Sequence, residues 1–251
     1  MTKLFLLPAI LCSVLTLQAQ VSQLDLSSFS KQDELKTLTS SKMMRNVTSF
    51  DNRYEGVKGT PFIYDDWSEG SLILSDSAIV KSNMLYKFDG INNELWVKLK
   101  NGPERILYSR ELLSFELHDA TGKSVKFRKV KLPESTDRHH FAISIYEGKN
   151  ISLIRDFKKV FKKSNLQDKG LITTGNAYDW FEEENTFYVK KGNKEYSKVN
   201  FKKNDVIEAL KLSRPATESV EKFCKSNDIK GKLTEEQALK MLTYVETLLE
   251  N

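Results

Sequence analysis

Four groups of residues in this chain have types and spacing that could do chemistry: the histidines, an acidic loop carrying a tryptophan, an acid-rich tract, and a run of lysines. His139 and His140 are adjacent in Ser-Thr-Asp-Arg-His-His, at a loop-to-strand junction. Neighbours on a strand point to opposite faces, so the two chelate one metal poorly without help from elsewhere. His118 ends an alternating strand and has no partner nearby in sequence. A Ser-His-Asp constellation would have to assemble in space, since the sequence has no Gly-x-Ser-x-Gly elbow. The loop Tyr64-Asp65-Asp66-Trp67-Ser68-Glu69-Gly70 pairs carboxylates with an indole, the composition of many sugar-binding and glycoside-cleaving sites. Asp65, Asp66, Trp67 and Glu69 are therefore one candidate site. They lack the alternating ligand positions of a calcium loop. Trp180-Phe181-Glu182-Glu183-Glu184 is a second acidic tract. Finally, Lys158, Lys159, Lys162, Lys163, Lys190, Lys191 and Lys194 are interleaved with Phe157, Phe161, Tyr188 and Tyr196, which marks a candidate patch for an anionic partner.

Other chemistry is missing from the sequence. It has neither Gly-x-x-x-x-Gly-Lys-Ser/Thr nor Gly-x-Gly-x-x-Gly, so no cofactor is expected. Net charge is +5, and its distribution is uneven. Residues 21–154 carry 19 Lys+Arg against 18 Asp+Glu, residues 155–203 carry 12 against 7, and residues 204–251 carry 7 against 9. The excess therefore falls on the segment that holds the candidate patch.

The N-terminus carries an address. Met-Thr-Lys precedes an uncharged apolar run from Leu4 to Leu17, and Leu17-Gln18-Ala19 ends it with a small residue. This is the pattern of a secretory signal peptide, residues 1–19, with cleavage expected after Ala19. The run is too short for a comfortable mature membrane anchor, and no later segment approaches the roughly 18 apolar residues of a spanning helix. Removal of Cys12 leaves Cys224 alone, so neither an intrachain disulfide nor a cysteine zinc site is expected. An exported chain without such staples must rely on a buried core. Export also argues against nucleic acid as the anionic partner.

These residues need elements to position them. Residues 20–56 are polar, with one helical candidate around 30–44. From residue 57 to 202 short apolar runs recur every ten residues or so, separated by turn residues such as Asp89-Gly90, Asn92-Asn93 and Gly192-Asn193. Leu95, Val97 and Leu99 alternate with Trp96, Lys98 and Lys100. Leu113, Phe115 and Leu117 share one face of another strand, and Phe141, Ile143 and Ile145 one face of a third. The expected fold class is α+β, mainly antiparallel β as a sandwich, roll or open barrel. From 203 to 251 the period changes to helical. Asn204 is placed to cap a first helix, and a second stripe follows Pro215. Thr234-Glu235-Glu236-Gln237 is a capping box, with Leu233 placed to staple onto Ala238. Ala238, Leu242, Val245 and Leu249 then form a stripe suited to covering a core.

Gly59-Thr60-Pro61-Phe62-Ile63-Tyr64-Asp65-Asp66-Trp67, Asn93-Glu94-Leu95, Ile145-Tyr146-Glu147-Gly148-Lys149-Asn150 and the lysine-rich strands before the three helical segments occur in that order. In this the chain resembles a group of exported proteins of Bacteroidetes-type bacteria that has no established activity. The resemblance implies envelope localisation and assigns no residue a role. The expectation is an exported, periplasmic or secreted envelope protein that binds a partner protein or an anionic polymer, or serves as an accessory factor. The alternative is a glycan- or peptide-acting hydrolase whose site forms only in three dimensions.

Overall fold

The computed structural model describes residues 44–46, 56–75, 79–80, 84–99, 102–135, 139–168 and 173–250. The expected signal peptide and most of the polar leader lie outside the described residues. So does the helix expected over 30–44, except for Met44, which begins a strand.

The protein is mainly antiparallel β, in open sheets, with helices at the C-terminal end. A four-stranded sheet has the order β1-β6-β5-β4, from β1 (Met44–Asn46), β4 (Met84–Asp89), β5 (Glu94–Leu99) and β6 (Glu104–Leu107). An eight-stranded sheet has the order β14-β13-β10-β9-β8-β7-β2-β3. Its strands are β2 (Gly70–Leu74), β3 (Ile79–Val80), β7 (Leu112–His118), β8 (Ser124–Val130), β9 (His140–Glu147), β10 (Ile151–Lys162), β13 (Trp180–Lys191) and β14 (Ser197–Val199). The short pair β11 (Gln167–Asp168) and β12 (Thr173–Thr174) lies in the β10–β13 connection.

The long sheet buries one face against two different layers. Toward β2 and β7 it packs on the short sheet. Tyr86, Phe88, Leu95, Phe115, Phe127, Phe141 and Phe157 fill that interior. Phe115 stacks on Phe127 at 4.6 Å and Phe141 meets Phe115 edge-on at 5.1 Å. Toward β10 and β13 the same face carries α1 (Lys203–Ala209), α2 (Arg214–Ser226) and α3 (Glu235–Glu250). There Ile151, Leu153 and Val189 meet Val206, Val220, Cys224 and Leu242.

Local chemistry accounts for the joints. In the β4–β5 turn, buried Asp89 accepts the Ile91 and Asn92 amides at 2.7 and 3.1 Å. Asn93, at φ 55°, then pairs with Phe141 through both amide atoms, at 2.9 and 2.7 Å. The Gly90 carbonyl accepts the Lys159 amide at 3.1 Å. A methyl at Gly90 would stand 2.6 Å from Phe157 Cε1, so only glycine lets this turn reach the long sheet. The α3 capping box forms reciprocally: Thr234 N donates to Gln237 Oε1 at 3.0 Å, and Gln237 N to Thr234 Oγ1 at 3.1 Å. Glu246, beside the apolar stripe, accepts the Asn150 amide at 2.5 Å and so fixes the helix to the β9–β10 turn.

Three local expectations change. Leu113 is 40% exposed, although alternation puts it with Phe115 and Leu117. The β2–β7 register shifts between Ile73 and Leu74, and Leu112 takes the buried place. A bulge of this kind adds one residue and reverses the parity beyond it. Asn204 is not the cap of α1, since the helix begins at Lys203 with Lys202 at the N-cap. Pro215 does not precede α2 but lies in its first turn, where the missing amide hydrogen costs nothing.

Candidate functional site

Strand alternation sends every second side chain of the long sheet to the face that neither the short sheet nor the helices cover. Among the described residues this face is roofed only in part. Leu132, from the β8–β9 connection, and Tyr196, before β14, fold over Val130, Ala142, Ile154 and Tyr188. The Tyr196 hydroxyl and Ser152 Oγ are 3.0 Å apart, which fixes the ring. Between the two roofing segments is an open cleft of about 260 Å³, bounded by residues 128–133 on one side and by Lys190 and residues 194–196 on the other. Arg128, Lys131, Lys190 and Lys194 supply basic side chains to its lining against the single carboxylate of Glu195, while Lys129 borders it but alternates with Arg128 and Val130 toward the packed face.

Partners of these cations separate structural charges from available ones. Arg128 gives its guanidinium to Glu147, and the Lys129 ammonium donates to the Arg110 carbonyl at 3.2 Å. Lys190 lies over the Tyr196 ring, 5.1 Å from its centroid, which orients the ammonium without neutralising it. Lys131 and Lys194 are exposed at the rim, and no carboxylate among the described residues lies within ion-pair distance of either.

The expected lysine patch is divided by the fold. Lys190 and Lys194 enter the cleft. Lys158 and Lys162 lie on the same open face but farther along the β10–β13 ribbon, whose register sets Lys158 opposite Glu184 and Lys159 opposite Glu183. Lys162 meets Glu184 and Glu182 at 3.0 and 3.4 Å, which raises its ammonium above the usual lysine range, the Glu184 hydrogen bond first. Lys159 and Lys191 point to the packed face, Lys159 toward Glu183 at 3.7 Å and Lys191 toward the Lys211 carbonyl at 3.4 Å. Lys163 lies just past β10, exposed and outside the cleft. The Glu182–Glu184 tract is thus the counter-charge of the ribbon lysines.

The loop of Asp65, Asp66, Trp67 and Glu69 closes over the outer face of the short sheet. Its three carboxylates are exposed. Trp67 takes the ammonium of Lys98 at 4.3 Å and that of Lys87 at 5.6 Å from its ring centroid. Lys87 also donates to the Asp65 carbonyl. Burial lowers the Lys87 pKa, partly opposed by Asp66 and Glu104. The indole face that would stack on a sugar ring is occupied by lysine.

The histidines separate. His118 Nδ1 is 2.9 Å from Ser124 Oγ at the far end of β7, while His139 is exposed. His140 is buried on β9, with Nε2 2.6 Å from Asp156 Oδ1 on β10. Lys158 Nζ stands 3.1 Å from Oδ2, an ion pair outside hydrogen-bond angles. Burial alone would raise the Asp156 carboxyl. The hydrogen bond and charge of His140, followed by Lys158, outweigh it and hold the group below the usual aspartate range. The pair lies outside the lining of the cleft. Among the described residues no three His, Cys, Asp or Glu side chains converge as a metal site.

Arg128 and Lys131 have no place in the candidate patch drawn from the sequence, whereas Tyr196 was among its interleaved aromatics. The basic run Arg128-Lys129-Val130-Lys131 was the available signal, but only the fold brings it beside Lys190 and Lys194. Compared with protein-family models, curated proteins and solved structures, the chain matches none.

Proposed function

We propose that this is an exported envelope protein that works by binding an anionic partner in the cleft between residues 128–133 and 190–196. One observation carries it: cations from three separate segments converge on one concavity, and Lys131, Lys190 and Lys194 have no carboxylate partner there among the described residues. Elsewhere on the same sheet face the strand cations are matched. Lys126 shares Glu147 with Arg128 of the cleft, Lys158 has Asp156, Lys162 has Glu182 and Glu184, and Lys198 has Glu134. Matched surface pairs have little left to offer a ligand, whereas unmatched ammonium groups beside a low-dielectric wall raise the local potential.

Export is supported by the Leu4–Leu17 run and Ala19. None of the described helices is long and apolar enough to cross a membrane. For the hydrolase alternative, the hydrogen-bonded imidazole–carboxylate pair His140–Asp156 is buried and lies outside the cleft lining.

Titration calorimetry with polygalacturonate, a carboxylated polysaccharide, tests the binding reading. We expect saturable, salt-sensitive binding that weakens when Lys131 and Lys194 are both changed to Glu, and not when exposed Lys163 is. Binding indifferent to the cleft lysines would refute it. Mass spectrometry of the exported protein should find its N-terminus near Gln20, and a retained Met1 would defeat the export reading.

A further inference from the structure

We infer that the group seated in the cleft is a single phosphate monoester carried on a hydroxylated, sugar-like body, rather than a stretch of continuous polyanion. This rests on the anionic-cleft reading above and narrows its ligand. The first argument is extent. At about 260 Å³ the cleft is smaller than the roughly 300–1,000 Å³ of sites that enclose drug-sized ligands, so it admits a head group and little more. Beyond the rim the open sheet face offers a polymer no continuing track, because its next cations, Lys158, Lys162 and Lys198, are held by carboxylates. A long polyanion gains affinity by neutralising charge after charge along its length. This surface rewards one compact charge.

The second argument is the kind of cation. A guanidinium fork grips carboxylate and phosphate alike through paired hydrogen bonds, and the one arginine of the cleft has one arm, Nη1, already held by Glu147. What remains are lysine ammonium groups, point donors supplied from separate segments: Lys131 from the β8–β9 connection, Lys190 from β13 and Lys194 from the β13–β14 turn. Donors approaching from different directions match the three terminal oxygens of a tetrahedral phosphate. The third argument is Glu195. A carboxylate beside an anion site opposes bare phosphate, but it accepts hydrogen bonds from hydroxyl groups, so it favours a phosphate whose carrier bears them.

Titration calorimetry on the processed protein separates the possibilities, with glucose 1-phosphate, inorganic phosphate, glucuronate and polygalacturonate as soluble probes. Phosphatidylcholine vesicles with and without phosphatidic acid are the membrane arm. We expect glucose 1-phosphate to bind more tightly than inorganic phosphate or glucuronate, and to displace polygalacturonate. K131E/K194E should weaken it about tenfold or more, the scale for losing charged hydrogen bonds, while K163E leaves it unchanged. Vesicle binding that needs phosphatidic acid and the same two lysines, when glucose 1-phosphate does not bind, would place the phosphate on a lipid and overturn the sugar-like carrier. Sugar-phosphate binding without it would assign a soluble or polymer-borne one. Polygalacturonate held by the cleft lysines while glucose 1-phosphate neither binds nor displaces it would overturn this inference and leave the cleft reading standing. If no anion binds, or if K131E/K194E binds as the parent does, both fall. Both substitutions are at exposed positions, and unchanged thermal unfolding would show that the fold is intact.

Discussion

Truncating Leu242 to alanine tests whether the helical tail is part of the fold or a detachable arm. Leu242 is 0% exposed, and its side chain packs into the core where α3 covers β10 and β13. The change removes three carbons, about 2.4 kcal/mol of transfer free energy at roughly 0.8 kcal/mol each. The vacated space adds more, because the surrounding core includes β10 and β13, which are fixed to each other by twelve-residue pairing and cannot collapse far. Leucine-to-alanine changes in rigid cores cost about 2.7–5 kcal/mol, so we expect about 3 kcal/mol here. Leu239, one turn earlier on the outer side of α3 and 46% exposed, is the control. It loses the same carbons to alanine with little burial at stake, so its cost should stay under about 0.5 kcal/mol. Urea unfolding followed by tryptophan fluorescence and by circular dichroism would measure both. The midpoint should fall for Leu242→Ala, with both probes still coincident and the slope unchanged. A loss below about 0.5 kcal/mol for Leu242, or equal losses at the two positions, would refute the packing of α3 on the sheet.

Gly90→Ala puts a methyl 2.6 Å from Phe157 Cε1 and 3.0 Å from the Lys159 amide, where the two sheets are joined. It should cost about 1–3 kcal/mol, read as a lower melting temperature, and an unchanged midpoint would show that the joint yields. Glu246→Ala leaves the Asn150 amide without its acceptor and should cost about 1.5–3 kcal/mol in urea unfolding, with Glu246→Gln milder because it keeps an oxygen for that amide. Equal losses for the two variants would dismiss the hydrogen bond as the reason. Because the folded Asp156 carboxyl lies below its usual value of 3.8, its contribution is full above that value and fades as pH falls through the lower folded one. Asp156→Asn should therefore flatten the acid limb of the stability profile below about pH 4, and an unaltered limb would place the acid sensitivity elsewhere.

Much of the scaffold was legible because the sheet and helix periods are written directly into residue order. Leu95 and Val97 alternate with Trp96 and Lys98, and β5 buries the first pair. Thr234 and Gln237 announced the start of α3, since a capping box needs only residues three apart. Where a strand gains a residue, the period breaks without a mark in composition. Leu113 looked like core and was displaced by the β2–β7 bulge. The far halves of β10 and β13 were illegible for another reason: they are held by lysine–glutamate pairing across the ladder rather than by apolar alternation.

What residue order determined alone was local: the alternating strands, the helical tail, the apolar run from Leu4 to Leu17 and the excess of lysine between residues 155 and 203. What only tertiary structure decided was which of those lysines have partners. Lys162 and Lys190 belong to the same chemical class and the same lysine-rich segment. One faces Glu182 and Glu184 across a ladder, and the other faces a tyrosine ring at the edge of a cleft. The physical reason is that charge is neutralised through space, over a few ångströms, between groups that the sheet register brings together from distant parts of the chain. Composition counts charges, and only the register pairs them.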